Sequence, residues 1–249
     1  MKISMIRKFM FVSISIFAVH FLFVFASSKI ATSNNVVNDA ILANDPPVNV
    51  KRTTIYDSLQ LSALGLSRQA FEFAMNGYNK LLATGKIKNT EVLSIVDFSL
   101  ASSKKRLFIL DLKDQKLLFH TYVSHGRNSG RETAQQFSNN DGSYQSSLGF
   151  YLTQDTYQGK HGYSMRLNGE EKGFNDKALS RGIVMHSATY VNESLIRSQG
   201  YIGRSQGCPA VSEQLHKGII SKIKGGSCFF IYGSDKNYAA NSKLVRQVA

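Results

Sequence analysis

The chain has 249 residues, 43% hydrophobic and 19% charged, which is too apolar for a disordered protein. With 19 Gly and 3 Pro it is not collagen-like, and with 2 Cys it is not a disulfide scaffold. The formal net charge is +13, which suits an anionic polymer or surface as partner, but no basic helix with interleaved aromatics marks it for nucleic acid.

Residues 1–28 read as an export signal or a membrane anchor. Lys2, Arg7 and Lys8 precede an apolar run from Phe9 to Ala26, and Ala26-Ser27-Ser28 supplies the small residues of a cleavage site. An uncleaved anchor is the alternative, since 18 residues approach the length of a spanning helix. Both readings deliver the rest of the chain to the periplasm or cell envelope. Residues 29–249 keep 27 of the 30 basic side chains and all 17 acidic ones, a formal charge of +10.

Residues 29–55, with Pro46 and Pro47, read as a flexible linker. Residues 56–90 read as a helical extension capping the main domain. A short helix is expected around Ser58 to Leu64. A longer one is expected after the cap Ser67, with Phe71, Ala74, Met75, Tyr78, Leu81 and Leu82 on one face and Gly85 near its end.

From residue 91 the pattern turns to β. Strands are expected at 92–98, 106–112, 117–123, 148–154, 162–167, 182–186 and 228–232, the second and third joined as a hairpin. Of the 19 glycines, 16 lie between Gly126 and Gly233. Short strands with frequent glycine turns predict a mainly β sandwich or barrel over 91–233, with a few helices. One amphipathic helix is expected from Ser212, with Leu215, Ile219, Ile220 and Ile223 at helical spacing, and His216 on its solvated side. Residues 234–249 read as a C-terminal tail. Residues 124–147 form a loop of 24 residues, which is either a cleft wall or a loose insertion.

Cys208 lies in Gly203-Arg204-Ser205-Gln206-Gly207-Cys208-Pro209, polar and glycine-rich surroundings unlike those of a core cysteine. Gly207 allows close approach of a substrate, and the N-terminus of the late helix would favour a thiolate. His186 ends the apolar run Gly182-Ile183-Val184-Met185 and is the best candidate base, because a Cys–His pair activates sulfur for attack on a carbonyl. Cys228, in the apolar run 228–232, reads as structural. A Cys208–Cys228 disulfide is an alternative that would abolish the nucleophile. A metal site built on His125, His161 and His186 is a second alternative, although no histidine has metal-motif spacing. His120 reads as structural, whereas His125 opens the long loop and is expected to face the cleft.

The run from His186-Ser187 to Ser205-Gln206-Gly207-Cys208-Pro209-Ala210 resembles the YkuD-like murein L,D-transpeptidase catalytic domain. Gln206 stands where that family's Ser/Thr-His-Gly-Cys motif has a second histidine, as in a divergent Ser-Gln-Gly-Cys branch. Further likeness lies in 123–130, Phe137-Ser138-Asn139, Ser146-Ser147-Leu148-Gly149 and 160–164, so the resemblance covers roughly residues 90–233. It implies a mostly β fold and a cysteine acyltransferase that needs no cofactor and acts on peptidoglycan stem peptides. Cys208 would be the nucleophile, His186 the base, the backbone at Ser187 the group orienting the imidazole, and the N–H of Gly207 or Cys208 an oxyanion donor. Arg204 would pair with a substrate carboxylate, and Ser205, Gln206, His125 and Tyr163 would complete the substrate site. Such enzymes cut a tetrapeptide stem after its meso-diaminopimelate-type third residue, release D-alanine, and pass the acyl group to an amine. With water as acceptor the same site would be a carboxypeptidase. A non-catalytic wall-binding protein is the remaining alternative. Neither the oligomeric state nor the acceptor is legible in the sequence.

Overall fold

A computed structural model describes residues 54–246; the export or anchor segment and nearly all of the expected linker lie outside them. The first helix, α1 (Ile55–Ser58), is capped by Thr54 and followed by turns through Gly65. It therefore begins before the position expected from sequence and occupies the last residue assigned to the linker. Helix α2 (Arg68–Ala83) starts at Ser67, whose hydroxyl accepts the Ala70 N–H at 3.3 Å. Its buried face is Ala70, Phe71, Ala74, Gly77, Tyr78 and Leu81. Gly77 lies so close to the Phe150 ring that any side chain there would overlap it. Leu82, expected on this face, is instead exposed.

The strands are β1 (Val92–Asp97), β2 (Leu107–Asp111), β3 (Lys116–Thr121), β4 (Gly149–Gly159), β5 (Gly162–Gly169), β6 (Val184–Ser187), β7 (Ala210–Val211) and β8 (Cys228–Tyr232). Three further helices are α3 (Glu193–Gln199), α4 (His216–Ile223) and α5 (Lys236–Asn241). The eight strands form one sheet in the order β3-β2-β1-β8-β4-β5-β6-β7. Neighbours are antiparallel except β1 with β8 and β6 with β7. Strands β1 and β8 are buried along their whole length, as expected of strands covered on both faces.

The sheet nearly closes on itself. Beyond β3, the Ser124 N–H donates to the Ala210 carbonyl at 2.9 Å, and the Ala210 N–H donates to Ser124 Oγ at 3.2 Å. Gly126 then makes a parallel bridge with Ser205. The mainly β architecture with a helical cap is thus observed, as a nearly closed sheet rather than two separate layers.

Two expectations from sequence need correction. Helix α4 starts at His216, not Ser212, and His216 is buried on its inner face with Ile219, Ile220 and Ile223. Residues 234–246 of the C-terminal tail pack back on the domain. Tyr238 on α5 is buried, and its hydroxyl donates to Glu171 at 2.8 Å, while Ser242 donates to the other oxygen of the same carboxylate. Among the described residues no helix is long and apolar enough to cross a membrane.

Candidate active site

The parallel pairing of β6 with β7 sets His186 beside Ala210, so Cys208 sits two residues ahead of the strand that flanks the histidine. Both side chains line one open cleft of about 710 Å³. The Cys208 Sγ lies 3.7 Å from the Gly182 carbonyl and against the Val184 backbone, along the segment that leads into His186.

The turn that presents Cys208 is built from its own sequence. Ser205 Oγ donates to the Cys208 carbonyl at 2.6 Å and accepts the Gly207 N–H at 3.0 Å. The Ser205 hydroxyl is therefore spent on the turn rather than offered to substrate. The same bond satisfies the Gly207 N–H within the turn. The Cys208 N–H has no protein acceptor among the described residues. Gly207 has φ +123°, and a Cβ there would lie 2.8 Å from the Gln145 carbonyl oxygen and 3.2 Å from Ile183. Glycine is required on both counts.

The long loop runs under this turn and is not a loose insertion. Ser205 N–H donates to the His125 carbonyl, Arg127 N–H to the Ser205 carbonyl, and Gly126 N–H to Ser146 Oγ, at 2.9, 2.8 and 3.0 Å. The Ser146 hydroxyl in turn donates to the Gly207 carbonyl at 3.4 Å. Arg127, Asp141 and Tyr144 of the loop form part of the cleft wall.

His186 is 4% exposed. Its Nδ1 lies 2.8 Å from the Ser187 carbonyl, which as acceptor fixes the tautomer with hydrogen on Nδ1 and leaves Nε2 unprotonated. Its ring stacks on that of the exposed His161, with centroids 4.4 Å apart and planes at 24°. Burial is the main cause that holds the His186 pKa below the ordinary imidazole value; the Ser187 bond opposes it and the nearby His161 adds to it. Burial also pushes the Cys208 thiol up, against the lowering effects of the Val184 backbone and Arg181. Both shifts run toward the uncharged forms, a thiol and a neutral imidazole, and away from the thiolate expected from a helix N-terminus. Helix α4 begins eight residues beyond Cys208, too far along the chain for its first turn to follow the sulfur directly.

The remaining sequence-predicted residues fall in different places. Arg204 and Gln206 are exposed on the cleft, with Arg204 Nη1 donating to the Arg127 and Gly130 carbonyls at 3.1 Å each. Tyr163 and Ser187 line a neighbouring cavity of about 540 Å³, which shares Lys160, His161 and Tyr190 with the first. His125 does not face the cleft. It is fully buried, bonded through Nδ1 to Arg106 at 2.7 Å and through Nε2 to the Gly130 carbonyl at 3.1 Å. Burial and then the like charge of Arg106 bring its pKa down to about 4. His120 is half-buried and stacked on Phe108.

Arg181 was not singled out from sequence. It is half-buried on the cleft wall, donating to the Ser138 and Gln145 carbonyls at 2.7 and 2.8 Å and to the Ser143 hydroxyl at 3.2 Å. The only sequence signal for it was its place in Ser180-Arg181-Gly182, just before the strand that carries His186.

Cys208 and the buried Cys228 are free thiols. No group of three or more His, Cys, Asp or Glu among the described residues could hold a metal ion, with His125 withdrawn beside Arg106 and His161 stacked face to face on His186.

A family model of the L,D-transpeptidase catalytic domain matches residues 62–232. The match begins inside α1's following turns, so it takes in α2 and most of the segment read as an extension. Similar solved structures include an L,D-transpeptidase from Mycobacterium smegmatis at 15% identity and TM-score 0.36, covering 57% of this chain and 59% of that one. An L,D-transpeptidase from Stackebrandtia nassauensis shows 15% identity and TM-score 0.36, covering 68% and 69%. The helical cell shape determining protein Pgp2 from Campylobacter jejuni shows 13% identity and TM-score 0.38, covering 69% and 58%. The chain thus spans about three fifths of the length of the mycobacterial relative. No curated protein matches the chain. With the family model matched over residues 62–232, more than half of the chain, the protein belongs to the L,D-transpeptidase catalytic-domain family.

Proposed function

We propose that the protein is an exported cysteine acyltransferase of peptidoglycan, an L,D-transpeptidase whose nucleophile is Cys208. The observation that carries this reading is the shared cleft: a partly buried free thiol and the His186 imidazole line the same open wall, on segments joined through β6 and β7.

The chemistry follows from the protonation states. Nε2 of His186 takes the Cys208 proton as sulfur attacks the carbonyl carbon of the stem's L,D-peptide bond, so that a C–S bond forms and the carbonyl π pair moves to oxygen. The Cys208 N–H faces that oxyanion as a preorganised donor, a contribution of about 3–4 kcal/mol in comparable sites. The oxyanion collapses, the C–N bond breaks, and the imidazolium gives its proton to the departing D-alanine amine. An incoming amine then attacks the thioester, its proton passes to Nε2, and sulfur leaves with a proton regained from the imidazolium. Transfer to an amine is favoured over water as the family reading, and product analysis distinguishes them.

Because the resting sulfur is a thiol, base assistance is needed at the first step. The test is intact-protein mass spectrometry after incubation with a carbapenem, whose strained lactam carbonyl is a direct acylating probe. One adduct on Cys208, absent in Cys208→Ala and formed far more slowly in His186→Ala, is expected. Release of D-alanine from tetrapeptide muropeptides by Cys208→Ala at the parent rate would overturn the assignment.

A further inference from the structure

The Cys208 cleft is lined by four cationic side chains, Arg127, Lys160, Arg181 and Arg204, and by a single carboxylate, Asp141. None of the four is in an ion pair among the described residues, where every salt bridge lies elsewhere. Arg181 feels Asp141 without an ion-pair contact.

The hydrogen-bond partners of these cations are neutral. Arg181 donates to two loop carbonyls and to serine hydroxyls, and Arg204 to two carbonyls. The Arg127 guanidinium lies 4.0 Å over the Tyr144 ring. Lys160, at the exposed tip of the β4–β5 hairpin, has no hydrogen-bond or ion-pair partner among the described residues. Neutral acceptors satisfy donors and hold the side chains in place, but they cancel no charge. A concave wall of one sign focuses its field on whatever enters, so the cleft is built for an anion.

The number of cations says more than the sign. One terminal carboxylate would need one partner, whereas four cations around a space of about 710 Å³ suit a ligand with several carboxylates. Arg181 is fixed and half-buried, and supplies background charge beside the sulfur. Arg204 and Lys160 are exposed and retain free donors, so they are the groups that reach the ligand.

We infer that the cleft selects peptide stems whose side carboxylates are free acids and discriminates against the same stems carrying carboxamides. The inference rests on the stem-peptide reading above and adds to it the charge state of the substrate. An amide in place of a carboxylate loses the charge-assisted bonds and leaves a cation facing a neutral group.

The test measures binding rather than turnover. Cys208→Ala protein is titrated by calorimetry with two synthetic tetrapeptide stems, identical except that the side carboxylates are free in one and carboxamides in the other. Free acid is expected to bind on the order of 10-fold more tightly, with the advantage shrinking as salt is raised from about 0.05 to 0.5 M. Lys160→Met in the same background is expected to weaken free-acid binding and leave amide binding unchanged; Arg204→Gln, checked by circular dichroism for an intact fold, is expected to do the same. Equal binding of the two stems, or tighter binding of the amide, overturns the inference while the stem-peptide reading stands. An unchanged free-acid preference in both variants overturns it as well. Failure of both stems to bind, in protein whose parent is acylated at Cys208 by a carbapenem, overturns the stem-peptide reading and this inference with it.

Discussion

Gly207→Ala is the sharpest single test of how the sulfur is held. The residue has φ +123°, where an L side chain is strained by about 1–3 kcal/mol. The added Cβ would also lie 2.8 Å from the Gln145 carbonyl oxygen, closer than real Cβ atoms approach, and 3.2 Å from Ile183. That carbonyl cannot retreat freely, because Arg181 Nη2 donates to it at 2.8 Å. Strain and overlap together cost about 2–4 kcal/mol, toward the upper part of the range for single substitutions. In a folded unit of this size the melting temperature falls by roughly 2–4 °C per kcal/mol, so a drop of about 5–15 °C is expected by differential scanning calorimetry. Relief of the overlap swings the following residue, so the rate of Cys208 acylation is expected to fall by about 100-fold, as it does when a reacting group moves by about 1 Å. Gln206→Ala, at an exposed neighbour, is the control and leaves the melting temperature unchanged. A Gly207→Ala protein with the parent melting temperature and the parent acylation rate would refute the reasoning about this turn.

The remaining predictions concern protonation and packing. His125 has a folded-state pKa of about 4, below the ordinary 6.5, so the unfolded chain takes up the proton first; stability is complete above pH ~6.5 and is lost as pH falls toward 4, by about 3 kcal/mol. Urea unfolding across that window tests this, and His125→Gln should flatten the profile. His186 is held below its ordinary value, so the acid limb of carbapenem acylation should lie below pH ~6.5; His161→Phe keeps a stacked ring without its charge and should move that limb to higher pH. An acid limb that His161→Phe leaves in place would mean that the two rings do not interact electrostatically. Tyr238→Phe leaves the buried Glu171 carboxylate one donor short and should lower stability by about 1–3 kcal/mol in chemical denaturation, with little change in the acylation rate.

Much of the fold was legible because periodicity reports burial. The apolar runs in β2 and β8 are continuous and that in β1 is broken only by Ser94, and those strands are almost wholly buried. The Ser67 cap and most of the inner face of α2, with Leu82 the exception, were legible in the sequence. His216 was legible and misread: with Ile219, Ile220 and Ile223 it falls at i, i+3, i+4 and i+7, the inward stripe. The short strand β7 and helix α3 carry little periodic signal, since two and seven residues hardly define a face. The site divided in the same way. Cys208 and His186 stood out by their local surroundings. His125 could not be placed, because its environment is created by Arg106, 19 residues earlier in the chain, and not by its neighbours. The docking of α5 was invisible for the same reason, since Glu171 meets Tyr238 across a separation of 67 residues. The role of the Ser205 hydroxyl depends on the exact turn geometry, which a motif does not encode.

The near-closure of the sheet bears on how the protein would accommodate a large polymer. Residues 205–211 are laced on one flank to His125–Arg127 and Ser124, and on the other to β6. The sulfur rides on an anvil clamped along two sides, and shifting it would mean tearing a ladder. The hairpin tip at Gly159–Gly162 is tied more lightly, by the Ser187 hydroxyl donating to the His161 carbonyl at 3.4 Å and by the His161 ring on His186, and it carries Lys160 and His161 at the opening. A bulky ligand entering the cleft would meet this arm first, and the cysteine turn behind it is the more firmly laced of the two.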